Sequence, residues 1–215
     1  MKVQSFAVGP FQENSYLLID DTARRAVFID PGDEAARLLA ALDASGATLE
    51  AIWVTHGHVD HVGAIAAIKR VHPAVPVLLH AADLPLYRAA AQHGLLFGAT
   101  IEQPPEPDAM LAEGQVLTVG TLGFTVLAAP GHAPGHVVIH GHGVAFVGDC
   151  LFAGSVGRTD LPLANGHELA RSLERIVALG PATVVYSGHG PATTIARECV
   201  ENPFLNGVAR VAGGG

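Results

Sequence analysis

Four side chains that bind metal ions well fall within six consecutive residues of this 215-residue chain. The segment Thr-His-Gly-His-Val-Asp-His begins at Thr55 and contains His56, His58, Asp60 and His61. It follows the apolar run Ala-Ile-Trp-Val, which is typical of a buried strand. On a strand end, residues i and i+2 point the same way, so His56 and His58 can reach one ion together. Asp60 and His61 lie where the chain turns into the next helix and would face a second ion nearby.

Three later segments offer further ligands. His132 follows Ala-Pro-Gly, Asp149 follows Val-Gly, and His189 lies between two glycines. Each comes at the end of a predicted apolar strand, where the edge of a sheet can bring side chains together in one cleft. A carboxylate such as that of Asp149 is the group best able to bridge two ions. Histidine nitrogen and carboxylate oxygen suit zinc, iron or manganese, and we expect two divalent ions, with zinc as the first choice.

Hydrophobic periodicity predicts the elements that must position these residues. Strands are predicted over residues 3–8, 15–20, 25–30, 50–55, 75–80, 115–119, 124–129, 137–140, 144–147 and 183–186. Helices are predicted over residues 33–44, 61–71, 81–91, 167–179 and 192–201, and a loop over residues 98–108, which hold three prolines. Strands with interspersed helices predict two sheets packed together with helices outside.

In their order along the chain, these motifs resemble the metallo-β-lactamase superfamily, and the resemblance covers nearly the whole chain. It implies an α+β fold, an αββα sandwich in which two mixed β-sheets pack face to face with helices outside. It also implies one metal site of His56, His58 and His132, a second of Asp60, His61 and His189, and a bridging Asp149. Asp30, in the segment Ile-Asp-Pro-Gly, is similar to the superfamily's strand-end aspartate that supports the metal loop. We interpret His136 as a supporting residue rather than a ligand.

Residues 148–160 resemble the hydroxyacylglutathione hydrolase (glyoxalase II) branch in its short bacterial form. This implies a thioesterase that hydrolyses S-acylglutathione-like substrates, for example S-lactoylglutathione to lactate and glutathione. The resemblance also implies attack by a metal-bridging hydroxide, which Asp60 and Asp149 orient. Arg158 stands where long-form enzymes use a basic residue, and it either binds a substrate carboxylate or pairs with Asp160. Asp160 and Pro191 replace two tyrosines of the long form, so the resemblance supports hydrolysis more strongly than glutathione recognition.

Two alternatives remain open at this level. The string Gly-Arg-Thr-Asp at residues 157–160 also resembles persulfide dioxygenases, which use one iron on the same scaffold. A non-catalytic, metal-stabilised binding or scaffold protein is the alternative from another class. Structural zinc sites are closed and often rich in cysteine, so seven His and Asp ligands with room for water favour catalysis. The largest group of metallo-β-lactamases carries cysteine where Asp149 stands, which disfavours antibiotic hydrolysis.

Composition limits the remaining classes. The net charge of −8 disfavours binding to nucleic acid or to a membrane surface, and a small-molecule thioester is the expected partner. No apolar run is long enough to span a bilayer and residues 1–6 lack a signal peptide's apolar region, so we expect a cytoplasmic protein. Cys150 and Cys199 make no disulfide framework, and we interpret Cys150 as inert core. We expect a single domain over residues 1–215, without an added C-terminal helical domain, as a monomer or homodimer.

Overall fold

Two β-sheets of six strands each form the centre of the protein in the computed structural model, which describes residues 1–211. The strands of the first sheet are β1 (Lys2–Val8), β2 (Glu13–Asp20), β3 (Arg25–Ile29), β4 (Thr48–Trp53), β5 (Val77–His80) and β6 (Ala109–Leu111). Their order in the sheet equals their order in the chain. β1 to β3 are antiparallel and β3 to β6 are parallel, so the sheet is mixed.

The second sheet is built from the later part of the chain. Its strands are β7 (Val116–Val119), β8 (Leu122–Ala128), β9 (Val137–Gly141), β10 (Val144–Gly148), β13 (Val184–Ser187) and β14 (Thr193–Thr194). Between β10 and β13, a small separate hairpin contains β11 (Leu151–Phe152) and β12 (Ser155–Val156). The spatial order is β14-β13-β10-β9-β8-β7, and the pairs are antiparallel apart from β10 with β13, which is parallel.

Seven α-helices flank the sheets within residues 1–211. They are α1 (Ala35–Ser45), α2 (Val59–Val62), α3 (Ile65–Val71), α4 (Leu84–Arg88), α5 (Ala90–Leu96), α6 (Gly166–Val177) and α7 (Ile195–Glu201). α6 begins after Asn165, whose side-chain oxygen accepts the N–H groups of His167 and Glu168 and so satisfies two free donors of the first turn. None of the helices in this part of the chain is long and apolar enough to cross a membrane.

Apolar side chains alternate between the two faces of the strands, which gives the sheets one shared core and separate outer cores. In β2, Tyr16 and Leu18 face the second sheet, whereas the intervening Leu17 packs in the core with α1 and α3. Between the sheets, Trp53 of β4 meets Phe124 of β8 with ring centroids 5.9 Å apart. A third core packs α6 against the second sheet. The layers are helix, sheet, sheet and helix, which confirms the predicted α+β fold, an αββα sandwich.

One predicted helix is interrupted next to the metal-binding motif. The helix predicted over residues 61–71 is two helices, α2 and α3. Gly63 approaches the carbonyl oxygen of Gly32 so closely that a Cβ would overlap it. The N–H of Ala64 donates to the carbonyl oxygen of Pro31 at 3.0 Å instead of continuing α2. The loop at Pro31 thus ends α2 by supplying a partner from outside the helix.

Other differences concern short elements. The helix predicted over residues 81–91 is a 3-10 turn followed by α4 and α5, separated at Ala89, and α5 extends to Leu96. The helix predicted from residue 192 begins at Ile195, because the two preceding threonines pair with β13 as β14. β6, β11, β12 and β14 have two or three residues each, which is too short for a periodic pattern. The remaining predicted elements are present, with bounds shifted by at most two residues.

Candidate metal centre

Strand ends from both sheets meet at one edge of the sandwich and deliver the predicted ligands. The residues that follow strand ends are His56 and His58 after β4, His132 after β8, Asp149 after β10 and His189 after β13. α2 contributes Asp60 and His61. The structure therefore brings all seven predicted ligands together.

Their ligand atoms form two clusters. The first cluster has one ring nitrogen from each of His56, His58 and His132, and these atoms lie within 4.8 Å of one another. The second cluster has one ligand atom from each of Asp60, His61 and His189, within the same distance. Contacts inside the clusters are closer still: His58 Nδ1 lies 3.0 Å from His132 Nε2, and Asp60 Oδ2 lies 3.2 Å from His189 Nε2.

Asp149 lies between the two clusters. Its Oδ1 is 3.4 Å from His61 Nε2, and its Oδ2 is 3.5 Å from His132 Nε2 and 3.6 Å from His189 Nε2. One carboxylate thus faces members of both clusters, which is the arrangement that a bridging ligand needs. Gly188 makes room for it, because a Cβ at position 188 would overlap Asp149 Oδ1 and the His61 ring.

Buried polar atoms without partners show that these residues fit metal ions. Among the described residues, His56 Nε2, His61 Nε2 and Asp149 Oδ1 are buried and have no hydrogen-bond partner in the protein. A buried polar atom left unsatisfied costs about 1–3 kcal/mol. All three atoms belong to the two clusters or to the carboxylate between them, where divalent cations would satisfy them together.

Hydrogen bonds behind the clusters turn two histidines toward the site. Thr55 Oγ1 donates to Asp30 Oδ2 at 2.6 Å and lies 3.1 Å from His56 Nδ1. Asp30 Oδ2 also lies 3.1 Å from His61 Nδ1. With a proton on each Nδ1, both Nε2 lone pairs face the clusters, as metal binding requires. Asp30 lies within 4.8 Å of both histidines, but its oxygens accept from the Thr55 N–H and O–H, so it acts as a supporting residue.

Burial and neighbouring charges favour the ligand forms of His56, His58 and Asp149. Burial, together with other histidines, lowers the pKa of His56 well below its ordinary value and lowers the pKa of His58 to about 3. Burial disfavours ionised Asp149, but His61, His132 and His189 together more than offset this, so the pKa of Asp149 lies below its ordinary range. Burial also disfavours charged His61, yet Asp149 and Asp60 raise its pKa well above the ordinary value. Metal ions bind neutral imidazole and ionised carboxylate, and a cation would replace the proton on His61.

His136 stands outside both clusters. Its Nε2 accepts the N–H of Asp149 at 3.0 Å, and its Nδ1 lies 3.4 Å from Cys150 Sγ. Cys150 is fully buried, as predicted, and its thiol donates to the carbonyl oxygen of Ala129 at 3.4 Å. Burial raises the pKa of the Cys150 thiol well above its ordinary value, so the thiol stays protonated. His136 therefore positions the backbone of Asp149 through one nitrogen and contacts an inert thiol through the other.

Two buried carboxylates support the site although no motif in the sequence marks them. Asp83 accepts the N–H of Gly57 in the metal loop and the N–H of Gly135 in the turn that carries His132. Glu13 is 1% exposed, and its Oε1 lies 3.7 Å from His61 Nδ1. Each partner lies 26 or more residues away along the chain, so the fold alone reveals these contacts.

Arg158 pairs with Asp160 at the edge of the site. Arg158 Nε lies 2.6 Å from Asp160 Oδ1, and the second terminal nitrogen lies 2.7 Å from Oδ2, so the ion pair has two parallel hydrogen bonds. The carbonyl oxygen of Arg158 lies 2.9 Å from His132 Nδ1 and directs His132 Nε2 toward the first cluster. Of the two sequence interpretations of Arg158, the structure shows the ion pair, and the residue also lines the adjoining cavity.

This cavity has a volume of about 480 Å³ and opens beside the two clusters. The candidate ligands that line it are His58, Asp60, His132, Asp149 and His189. Its size is in the range of small-molecule binding sites. A substrate in the cavity would therefore contact residues of both clusters.

The profile of the Metallo-beta-lactamase superfamily matches residues 8–189 of this chain. That span contains every residue of the two clusters and Asp149. The chain belongs to the metallo-β-lactamase superfamily, which confirms the family expected from the sequence motifs. Membership of this superfamily and the clustered ligands identify a metal-dependent hydrolase.

Two bacterial proteins are similar to this chain over nearly its whole length. Hydroxyacylglutathione hydrolase GloC of Haemophilus influenzae is 36% identical to this chain, over 96% of this chain and 99% of its own length. The probable metallo-hydrolase YqgX of Bacillus subtilis is 37% identical, over 96% of this chain and 99% of its own length. Both alignments span nearly the whole of each protein, so the similarity extends beyond the metal-binding motifs.

Solved structures show the same fold under different names. The protein TTHA1623, in a di-iron-bound form, is 46% identical with a TM-score of 0.88, over 94% of this chain and 100% of its own. BLEG-1 B3 metallo-beta-lactamase is 38% identical with a TM-score of 0.88, over 95% and 99%. ETHE1 from Myxococcus xanthus is 28% identical with a TM-score of 0.79, over 96% and 85%. The shared fold therefore does not determine the reaction of this chain.

Proposed function

We propose that this protein is a binuclear metal-dependent thioesterase acting on S-acylglutathione-like substrates. The observation that carries the proposal is that the Asp149 carboxylate lies between two three-residue clusters of His and Asp ligands. The similarity to GloC, a protein named hydroxyacylglutathione hydrolase, supports the substrate class. The similarity to a protein in a di-iron-bound form supports a pair of ions, with zinc, iron and manganese as the candidates.

The side chains have distinct roles in this proposal. The first cluster would hold one ion and the second cluster the other, with Asp149 available as a ligand to both. When bound, the ions supply a hydroxide nucleophile near neutral pH and polarise the substrate carbonyl. Asp60 lines the cavity, and its ionised carboxylate accepts a hydrogen bond from the attacking water and orients it, together with Asp149. Arg158, at the cavity edge, contacts a carboxylate of the carrier when it exchanges Asp160 for the substrate.

The chemistry of the leaving group fits a site without a strong general acid. A thiol with a pKa near about 8.5 leaves readily as its thiolate at neutral pH. An alcohol or amine leaving group needs a proton donor instead. With metal ions bound, the imidazoles of the two clusters would be neutral and the carboxylates ionised, so these side chains would accept protons rather than donate them. A thioester is therefore the substrate that these side chains serve best.

A mononuclear-iron persulfide dioxygenase is the second candidate. The Gly-Arg-Thr-Asp string at residues 157–160 and the similarity to ETHE1 support it. Metal analysis and three assays on one preparation separate the candidates: hydrolysis of S-lactoylglutathione, oxygen uptake with glutathione persulfide, and hydrolysis of a β-lactam, the activity named for BLEG-1. Two ions per chain with thioester hydrolysis would support the proposal. One iron with oxygen uptake would replace it, and retained metal without any turnover would favour a scaffold protein.

A further inference from the structure

The cavity beside the candidate metal centre is lined mainly by apolar side chains. Its apolar wall is formed mostly by Phe11, Leu86, Leu96, Phe97, Phe152 and Leu161. This wall reaches the ligands, because the ring centroid of Phe152 lies 6.0 Å from that of His189. A substrate whose reacting bond lies at the clusters would therefore place an adjoining group against apolar surface.

Two phenylalanines from distant segments meet at this cavity. Phe11 lies in the turn between β1 and β2, and Phe97 follows α5; their rings pack edge to face with 6.2 Å between centroids. Phe97 is 58% exposed and the neighbouring Leu96 is 76% exposed. Large apolar side chains exposed together beside a cleft mark a binding surface. A bound apolar group would remove these side chains from water and be stabilised in proportion to the area buried.

The same cavity offers little to anionic or hydroxylated groups. Among the described residues that line it, Arg158 is the one lysine or arginine, and Asp160 already holds its guanidinium with two hydrogen bonds. Apart from Arg158 and the candidate ligands, the polar side chains there are His93 and Ser155. Glutathione carries two carboxylates, which bind best to unpaired cationic groups. A polar group placed on an apolar wall without a hydrogen-bond partner loses free energy.

We infer that the cavity binds the acyl group and that the preferred substrates are thioesters of medium-length aliphatic or arylalkyl acids. The inference rests on the proposed thioesterase function and specifies its substrate class. The polar carrier then extends past Arg158, whose side chain is 60% exposed, and into solvent. A lactoyl group is small and hydroxylated, so it leaves most of a cavity of about 480 Å³ unfilled.

A series of glutathione thioesters with one carrier and different acyl groups tests this inference on the metal-loaded protein. The acyl groups are acetyl, lactoyl, butanoyl, hexanoyl and phenylacetyl, each kept below its micelle concentration. We expect kcat/KM to rise up to about fourfold for each added methylene. Hexanoylglutathione should exceed both acetylglutathione and S-lactoylglutathione by at least about tenfold. A flat series, or a preference for lactoyl, would overturn the inference and leave the thioesterase function standing.

Variants at the cavity mouth distinguish a role of the apolar wall in substrate preference from a general effect of substitution on the enzyme. Phe97→Ala and Leu96→Ala should flatten the acyl series, because they should lower kcat/KM more for hexanoylglutathione than for acetylglutathione. Leu95→Ala is the matched control, because Leu95 precedes Leu96 in α5, is 66% exposed and is absent from the residues lining the cavity. We expect Leu95→Ala to keep the full series. Equal flattening in all three variants would show that α5, rather than the cavity wall, carries the effect and would overturn the inference.

Two further measurements assign the apolar wall to the acyl side. Thioesters of hexanoic acid with glutathione and with hexanethiol vary the carrier alone, and a large gain for hexanethiol would assign the wall to the thiol side instead. Calorimetry of the metal-free protein with S-hexylglutathione and S-methylglutathione gives a readout that needs no turnover, and the hexyl compound should bind at least about tenfold more tightly. If no thioester is hydrolysed at all, the proposed function fails and the acyl inference fails with it.

Discussion

Asp83 holds the metal loop through the backbone of Gly57, whose N–H donates to Asp83 Oδ2 at 2.8 Å. The other oxygen of Asp83 accepts the N–H of Gly135, in the turn that carries His132. Gly57 lies between His56 and His58, so this one buried carboxylate links loops whose ligands follow strands of different sheets. Asp83, which belongs to neither cluster, thus connects the two loops that carry the first cluster.

Asp83→Asn tests this positioning role. The amide keeps one acceptor oxygen and turns an NH₂ group toward a backbone N–H, so one of the two hydrogen bonds is lost. We expect metal affinity, measured by competition with a chelator, to fall about 10- to 100-fold. Asp108→Asn is the matched control, because Asp108 Oδ2 also accepts a backbone N–H, from Val77 at the opposite end of β5. Unchanged affinity in Asp83→Asn would show that the loop keeps its shape without this carboxylate.

The same residue makes the stability of the metal-free protein depend on pH. Burial raises the pKa of Asp83 to about 6, against the opposing effect of hydrogen bonds from Gly57 and Gly135. The folded state therefore binds this proton more tightly than the unfolded chain, in which aspartate titrates near about 3.9. The stability contribution of protonated Asp83 is complete below about pH 4 and is lost as the pH rises through about 6.

Urea unfolding of metal-free wild type and metal-free Asp83→Asn from pH 4 to pH 8 measures this contribution. We expect the wild type to lose up to about 3 kcal/mol of unfolding free energy relative to the variant between about pH 4 and pH 6, with a constant difference above that range. The other buried groups titrate in both proteins, so the difference between the two unfolding free energies reports the titration of Asp83. Parallel pH profiles for the two proteins would contradict the raised pKa of Asp83.

Some of these relationships can be predicted from sequence and others cannot. The ligands can be predicted because each stands in a short motif after an apolar strand, and the sandwich fold follows from the resemblance that those motifs carry. The break between α2 and α3 cannot, because it depends on a hydrogen bond from Ala64 to Pro31 of another loop. Asp83 and Glu13 are also missed, since a single acidic residue looks like a surface residue until the fold buries it.

Gly188→Ala tests the close packing around Asp149. The added Cβ would overlap Asp149 Oδ1 and the His61 ring, so the carboxylate must turn away from the two clusters. We expect thioesterase kcat/KM to fall at least about a hundredfold, as for the loss of one positioned electrostatic group. Gly123→Ala in β8 is the control, because a Cβ there meets Val116 at 3.5 Å, an ordinary contact. Wild-type activity in Gly188→Ala would mean that Asp149 has another productive position.

Arg158→Gln tests how far the Arg158–Asp160 pair contributes to substrate binding. An exposed ion pair contributes about 0–1 kcal/mol, so exchange of Asp160 for a substrate carboxylate changes binding little. We expect KM for glutathione thioesters to rise by no more than about fivefold. KM for the matching N-acetylcysteamine thioester, which has no carboxylate, should stay the same. A rise of a hundredfold for glutathione thioesters alone would identify Arg158 as a dedicated carboxylate site.

In the proposed function, Asp149 joins the two ligand clusters into one binuclear hydrolytic site. The most direct measurement is the metal content per chain and the thioesterase kcat/KM of wild type and Asp149→Ala, with circular dichroism to confirm that the variant is folded. We predict two ions in the wild type, at most one in the variant, and a loss of kcat/KM of at least about a hundredfold. An Asp149→Ala variant that keeps both ions and the wild-type rate would show that Asp149 does not join the two clusters into one hydrolytic site.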